Sequence, residues 1–266
     1  VAIDDEFLAR ALSVAHAAAD AADVIIRARF RAQDFLVVQK ADQTPVTEAD
    51  REAEAAIKNV LRASFPEHAF YGEEEGHEGE SDYLWLIDPI DGTKAFVRGY
   101  PMFSTQLALM WRGELVLGVS AAGEYGERAW AVKGGGAFLD GRRISIAATQ
   151  QLGPLAAISI GNVKTLSRGP GWNVLASLIQ RSGRIRGYGD FLHYHLLAQG
   201  SIDLVIESDL NILDVAALAV IVREAGGVFS DLAGHELTLE TDSVLAGTPA
   251  LHALALREFR AVLGPV

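Results

Sequence analysis

The chain has 266 residues, half of them hydrophobic and 22% charged, with a formal net charge of −12 and no cysteine. That length and apolar content can build a large core, as one domain or two intimate halves. The acidic balance argues against a nucleic-acid backbone or an anionic membrane as the main partner, and the missing thiols exclude disulfides and thiolate zinc sites.

The N-terminal region opens with Asp4, Asp5 and Glu6 rather than a basic stretch before an apolar core. No apolar run approaches the roughly 20 residues that span a bilayer, so the expectation is a soluble, cytoplasmic protein without a signal peptide. Phe7, Leu8, Leu12, Val14, Ala15, Ala18, Ala22, Ile25 and Ile26 follow helical spacing and predict one long helix over residues 4–31. A polar loop is expected from Gln39 to Val46. Thr47 then reads as an N-cap with Asp50 at the capping-box position. Ile57, Val60, Leu61 and Phe65 form the stripe of this second helix, which Pro66 ends. The acidic stretch Gly72 to Asp82 reads as a mobile loop before a buried strand, Leu84 to Ile87.

That strand runs into Asp88-Pro89-Ile90-Asp91-Gly92-Thr93-Lys94. Two carboxylates at the end of a buried strand repel unless something positive sits between them. Pro89 and Gly92 suggest a tight turn aiming both acids and the next backbone N–H groups at one spot, suited to a hard divalent cation beside a phosphate. A plain polar turn is the alternative. Strands are expected near 103–110, 114–121, 128–132 and 136–146, joined by glycine turns. A strand near 155–160, helix 172–180, strand 184–188, helix 190–199, strand 202–207, helix 214–225, strands 227–230 and 244–246, and a last helix begun by Thr248-Pro249 complete the pattern. The halves expected are 1–148 and 149–266 with no flexible linker, and they can equally be counted as one domain.

Asp50, Glu73, Glu74, Asp88, Asp91 and Asp214 stand out by position. Asp50 and Asp214 also suit the first turn of a helix for dipole reasons alone. Glu73 and Glu74 also suit a solvated acidic loop. His193 and His195, two apart in a helix, face different sides and make no metal pair; one is expected to pack and the other to be exposed. Gly134-Gly135-Gly136 lacks the Lys-Ser/Thr of a phosphate loop and reads as a strand bend, and Arg181, Arg184 and Arg186 read as a solvated face.

Taken together, Gly72-Glu73-Glu74, Asp88-Pro89-Ile90-Asp91-Gly92-Thr93, Asp214-Val215-Ala216-Ala217 and Glu224-Ala225-Gly226-Gly227, with Lys40 and Val46-Thr47-Glu48-Ala49-Asp50 upstream, resemble the inositol monophosphatase superfamily over nearly the whole chain. The resemblance implies an α/β (α+β) fold, the layered αβαβα sandwich of the inositol monophosphatase/sugar phosphatase type. It also implies a homodimer that hydrolyses small phosphate monoesters with two or three Mg²⁺ ions. Carried over, Glu73, Asp88 and the Ile90 carbonyl hold the first ion, and Asp88, Asp91 and Asp214 a second. Glu73 shares a third. Thr93 with Asp50 orients and deprotonates water, Glu74 positions it, and the Gly92 and Thr93 N–H groups hold phosphate oxygens. Leu213 stands where the family has an aromatic, most often Trp.

Asp91 to Gly99 looks closest to the histidinol-phosphate phosphatases of this superfamily, and Asp190 stands where inositol and phosphoadenosine enzymes carry Thr or Ser. A carboxylate there would pair with the ammonium of histidinol phosphate and disfavour a neutral polyol, and Glu207 would supply a second acceptor. The structural alternative for Asp190 is a helix N-cap. The rival substrates are inositol 1-phosphate and 3′-phosphoadenosine 5′-phosphate. A regulatory metal- or phosphate-binding protein without turnover is the non-enzyme reading.

Overall fold

The computed structural model describes residues 3–33, 35–39 and 45–263, and Lys40 and the rest of the polar loop up to Thr44 lie outside them. Two compact units emerge, one formed by residues 1–140 with Leu213–Ile221, the other by Gly141–Ile212 with Val222–Val266.

The first unit begins with α1 (Asp5–Ala32), capped by Asp4, whose side chain accepts from the Glu6 N–H. Its buried face is mostly alanine, from Ala11 to Ala22, which lets it lie close against α2 and the sheet. The strands β1 (Val37–Gln39) and β2 (Pro45–Thr47) pair antiparallel and take in the two ends of the expected loop. α2 (Glu48–Ser64) starts from the predicted capping box: Thr47 accepts from the helix while Asp50 accepts from the Thr47 N–H at 2.7 Å. Then come β3 (Ala69–Gly72), β4 (Gly76–Glu78), β5 (Tyr83–Asp91), α3 (Thr93–Val97), β6 (Ser104–Trp111), β7 (Glu114–Ala122), β8 (Glu127–Val132) and β9 (Gly136–Leu139). Within this unit the strands run in the order β9-β8-β7-β6-β5-β3-β4. The stretch 72–82, expected as a loose loop, is in part a hairpin: β4 returns along β3 with Tyr71 opposite His77. The triple glycine at 134–136 makes the hairpin turn between β8 and β9 rather than a bend within one strand. The short α3 carries no sequence signal strong enough to separate it from a turn.

The second unit opens with β10 (Arg142–Ile144) and continues through β11 (Ala157–Ile160), α4 (Gly171–Arg181), β12 (Arg184–Arg186), α5 (Asp190–Ala198) and β13 (Leu204–Ser208). α6 (Ile212–Glu224) is shared between the units along its length, and β14 (Val228–Ser230), β15 (Ser243–Gly247) and α7 (Pro249–Leu263) complete the chain. Here the sheet order is β12-β11-β13-β15-β14, with β11 parallel to both β12 and β13. α4 and α7 pack on each other and α7 on β15, while α5 covers β13. His193 and His195 are both fully buried, against the expectation that one faces solvent. α5 is apolar on nearly every side, so no face is left for water. Arg181, Arg184 and Arg186 are exposed, as expected. Among the described residues no helix is long and apolar enough to cross a membrane.

His68 shows how the first core handles a titratable ring. It stacks between Phe65 and Tyr83, with centroids 4.6 and 4.7 Å away, and its Nδ1 accepts from the fully buried Trp85 Nε1 at 3.0 Å. Burial, and then the nearby Arg10 charge, lower its pKa to about 4. The unfolded chain protonates near the ordinary histidine value of about 6.5, so it takes up protons before the folded chain does. Stability from this ring is therefore present above that value and is lost as pH falls towards 4. The ring is only half-buried and solvent screens part of the effect, so the loss is about 1–2 kcal/mol. Urea midpoints measured from pH 7 to 4.5 should fall less steeply in His68→Gln than in the parent chain.

Candidate metal centre

The end of β5 decides where the acids point. In a regular strand, residues three apart face opposite sides of the sheet. Here Asp88 pairs with Gln106 and Asp91 with Ser104, so three steps on β5 match two on β6. The extra residue is a bulge at Pro89-Ile90, and it turns Asp88 and Asp91 onto the same side. Proline suits the position because it has no N–H to offer the ladder. The bulge is tied down by the Thr105 hydroxyl, which donates to the Pro89 carbonyl at 2.9 Å, and by the Ile90 N–H, which donates to Asp88 Oδ1 at 3.0 Å.

Asp214 arrives from more than a hundred residues away, on the first turn of α6. What lets that helix come close is Gly118 in β7: a Cβ there would fall 2.3 Å from the Ala217 carbonyl oxygen. Asp88, Asp91 and Asp214 can then offer carboxylate oxygens all within 4.8 Å of one another. Leu213 beside them is buried, so an aliphatic residue packs where the resemblance gives an aromatic.

Glu73 and Glu74 are held in place by a device the sequence reading did not single out. Glu54 on α2 is fully buried and accepts from the Glu74 N–H at 2.8 Å and the Glu75 N–H at 3.2 Å. Lys58, one turn on and equally buried, lies 2.8 Å from Glu54 and 2.8 Å from Glu75. Burial alone would lower the lysine pKa, but its bonds to Glu54 and Glu75 outweigh that and raise it, so it stays charged. The signal was present: Glu54 and Lys58 sit at i and i+4 on the same side as Ile57 and Leu61, an ion pair inside an apolar stripe.

The remaining first-unit residues converge on the same bulge. The Thr93 hydroxyl lies 2.9 Å from the Ile90 carbonyl and 3.3 Å from Asp50 Oδ1. Gly92, at φ +87°, begins the turn into α3, and a Cβ there would meet the Met102 carbonyl at 2.6 Å. Asp91 accepts from the Ser104 hydroxyl at 3.3 Å, and Gln106 donates to Ser104 and Ser120 beneath it.

The electrostatics are those of crowded like charge. Asp88 is pushed well above the usual carboxylate range by burial, then by repulsion from Glu73, Asp91 and Asp214. Asp50 is also raised, by burial first and by Glu73 as well, although its bonds from Thr47 oppose this. An all-oxygen acidic cluster of this kind fits a hard divalent cation, which would supply the missing positive charge.

The other two candidate residues belong to the second unit. Asp190 is the first residue of α5 at φ +43°, following Gly189 at φ +73°, so Gly189 is the N-cap and Asp190 is not. Glu207, near the end of β13, accepts from the Asn162 N–H at 3.1 Å and the Tyr194 hydroxyl at 2.9 Å. Burial would raise its pKa, but His193, Asn162 and Tyr194 together lower it, so it is held as a carboxylate.

A model of the inositol monophosphatase family matches residues 8–263. Over 84% of its length the chain is 41% identical to a histidinol-phosphatase of Streptomyces coelicolor, covering 87% of that protein. A histidinol-phosphatase of Mycobacterium tuberculosis is 39% identical over 84% of the chain and 88% of its own length. An IMPase of Thermotoga maritima superposes with a TM-score of 0.82 at 29% identity, covering 97% of this chain and 98% of that one.

Because Asp50 and Asp88 have raised pKa values in the metal-free fold, their contribution to stability is present at low pH and lost as pH rises through those values. A cation displaces the protons and removes the repulsion. The stabilisation given by saturating Mg²⁺ over a chelator, read as a shift in urea midpoint, should therefore be larger at pH 8 than at pH 5. Titration calorimetry from pH 5 to pH 8 in buffers of different ionisation enthalpy should show fewer protons released per ion bound as the pH rises.

Proposed function

The chain belongs to the inositol monophosphatase family and has its layered α/β fold, and we propose that this metal-dependent phosphatase hydrolyses L-histidinol phosphate to histidinol and phosphate. The observation that carries the substrate is the pair of acids in the second unit, Asp190 and Glu207. Glu207 is fixed as an anion by three neighbours, and Asp190 stands where the family resemblance implies an uncharged Thr or Ser in the inositol and phosphoadenosine enzymes. Histidinol phosphate brings an ammonium that such carboxylates accept, whereas an inositol ring offers them no cation. The likeness to two histidinol-phosphatases supports the same substrate.

Glu73, Asp88 and the Ile90 carbonyl would hold one Mg²⁺, and Asp88, Asp91 and Asp214 another, with Glu73 shared with a third. When bound, these ions neutralise phosphate charge, acidify water and stabilise the leaving alkoxide. Thr93 Oγ1 lies 3.3 Å from Asp50 Oδ1, so it can accept from the attacking water while passing its own proton towards Asp50. Burial, the largest cause of the raised pKa of Asp50, makes that carboxylate a better proton acceptor than an exposed aspartate. Glu74 holds water in line, and the Gly92 and Thr93 N–H groups bind phosphate oxygens. A cytoplasmic homodimer completes this reading.

Initial rates with Mg²⁺ on histidinol phosphate, inositol 1-phosphate and 3′-phosphoadenosine 5′-phosphate decide the substrate. A kcat/KM at least about a hundredfold higher on histidinol phosphate is expected, equivalent to ~2.7 kcal/mol of differential transition-state binding. Asp190→Ser should lower that value far more than the rate on a neutral ester; an equal loss on both would remove Asp190 from recognition. Asp91→Asn should abolish hydrolysis of every ester, and near-parental turnover would overturn the metal assignment.

A further inference from the structure

Behind the contact of His193 with Glu207 lies a buried polar chain. The Tyr188 N–H donates to the Ser159 hydroxyl at 3.3 Å, and that hydroxyl lies 3.3 Å from His193 Nδ1. Ser159 and His193 are both fully buried. On the other side of the ring, His193 Nε2 lies 3.2 Å from Glu207 Oε2. The Ser159 hydroxyl has one proton and two acceptor positions, so it can accept from Tyr188 and donate to Nδ1. In that arrangement the proton of the imidazole sits on Nε2, on the side of the carboxylate. The N–H and oxygen are out of line, since Nε2 has no partner within hydrogen-bond geometry. The contact is therefore mainly electrostatic, while Asn162 and Tyr194 hold the carboxylate by direct bonds. A carboxylate accepts about four hydrogen bonds. The direct bonds from Asn162 and Tyr194 leave Glu207 acceptor capacity for a ligand, and its side chain keeps 12% exposure.

The same hydroxyl also fixes the turn Tyr188-Gly189-Asp190, whose last two residues both have positive φ. One buried serine thus ties the backbone that presents Asp190 to the ring that faces Glu207.

We infer that His193, oriented by Ser159, is a positioning residue that holds Glu207 as a fixed anion for the cationic part of the substrate. The inference rests on the substrate reading above and assigns the part of it that discriminates an ammonium from an uncharged group.

The test compares L-histidinol phosphate with its deamino analogue, 3-(imidazol-4-yl)propyl phosphate, as Mg²⁺-dependent substrates of the full chain. In His193→Leu the KM for histidinol phosphate should rise about tenfold, the size of one weakened charge-assisted hydrogen bond. Its kcat and both constants for the analogue should stay within about twofold of the parent's. His193→Gln, which keeps an N–H near the place of Nε2, should restore most of the lost affinity and covers the case in which the leucine variant fails to fold. A parent chain that does not distinguish the two esters overturns the substrate reading before any variant is made. A parent that distinguishes them, with variants that distinguish them equally well or lose both substrates equally, overturns the role of His193 alone.

Discussion

Like charge forced together is the constraint on which the first unit depends. Asp88, Asp91 and Asp214 crowd their oxygens within 4.8 Å, and Glu73 adds to the repulsion on Asp88. Water would disperse such groups. A fold can hold them only where stronger, shorter-range interactions fix the backbone on every side, and where a cation or protons later answer the charge.

Three local devices do this. The Pro89-Ile90 bulge puts two acids of one strand on one side. Gly118 removes the Cβ that would keep α6 and Asp214 away from the sheet. The buried Glu54–Lys58 pair grips the backbone after Gly72 and so fixes Glu73 and Glu74. An isolated buried ion pair gives little net stability. Here its use is positional, because the oxygens of Glu54 also accept from the backbone N–H groups of Glu74 and Glu75. In the second unit the acids are handled in the opposite way. Glu207 is surrounded by donors and kept ionised without metal, which suits recognition of an organic cation rather than capture of an inorganic one.

Much of this was legible in the chain. The capping box at Thr47 and Asp50, the long first helix and the order of elements in the second half follow from local periodicity and terminal signals, and these are short-range in origin. The hairpin within 72–82 was not legible, because its acidic composition resembles a solvated loop and its order comes from β3 and Glu54. Both histidines of α5 were expected to divide between core and solvent. Periodicity cannot show that a helix is covered all round, and that is what buries both.

The sequence by itself determined which residue types could meet a hard cation and an anionic ester: aspartates and glutamates at the ends of strands and starts of helices, with no thiol to compete. It also carried the family resemblance that the match over residues 8–263 bears out. Only the tertiary structure decided which acids share a face, since a one-residue bulge reverses the side a carboxylate takes and leaves no mark in composition. It alone brought Asp214 to Asp88, through a missing methyl at Gly118 that matters only once β7 and α6 touch. It alone set Ser159 against His193, because hydrogen bonds between a strand and a helix 34 residues apart depend on packing, and packing is not local.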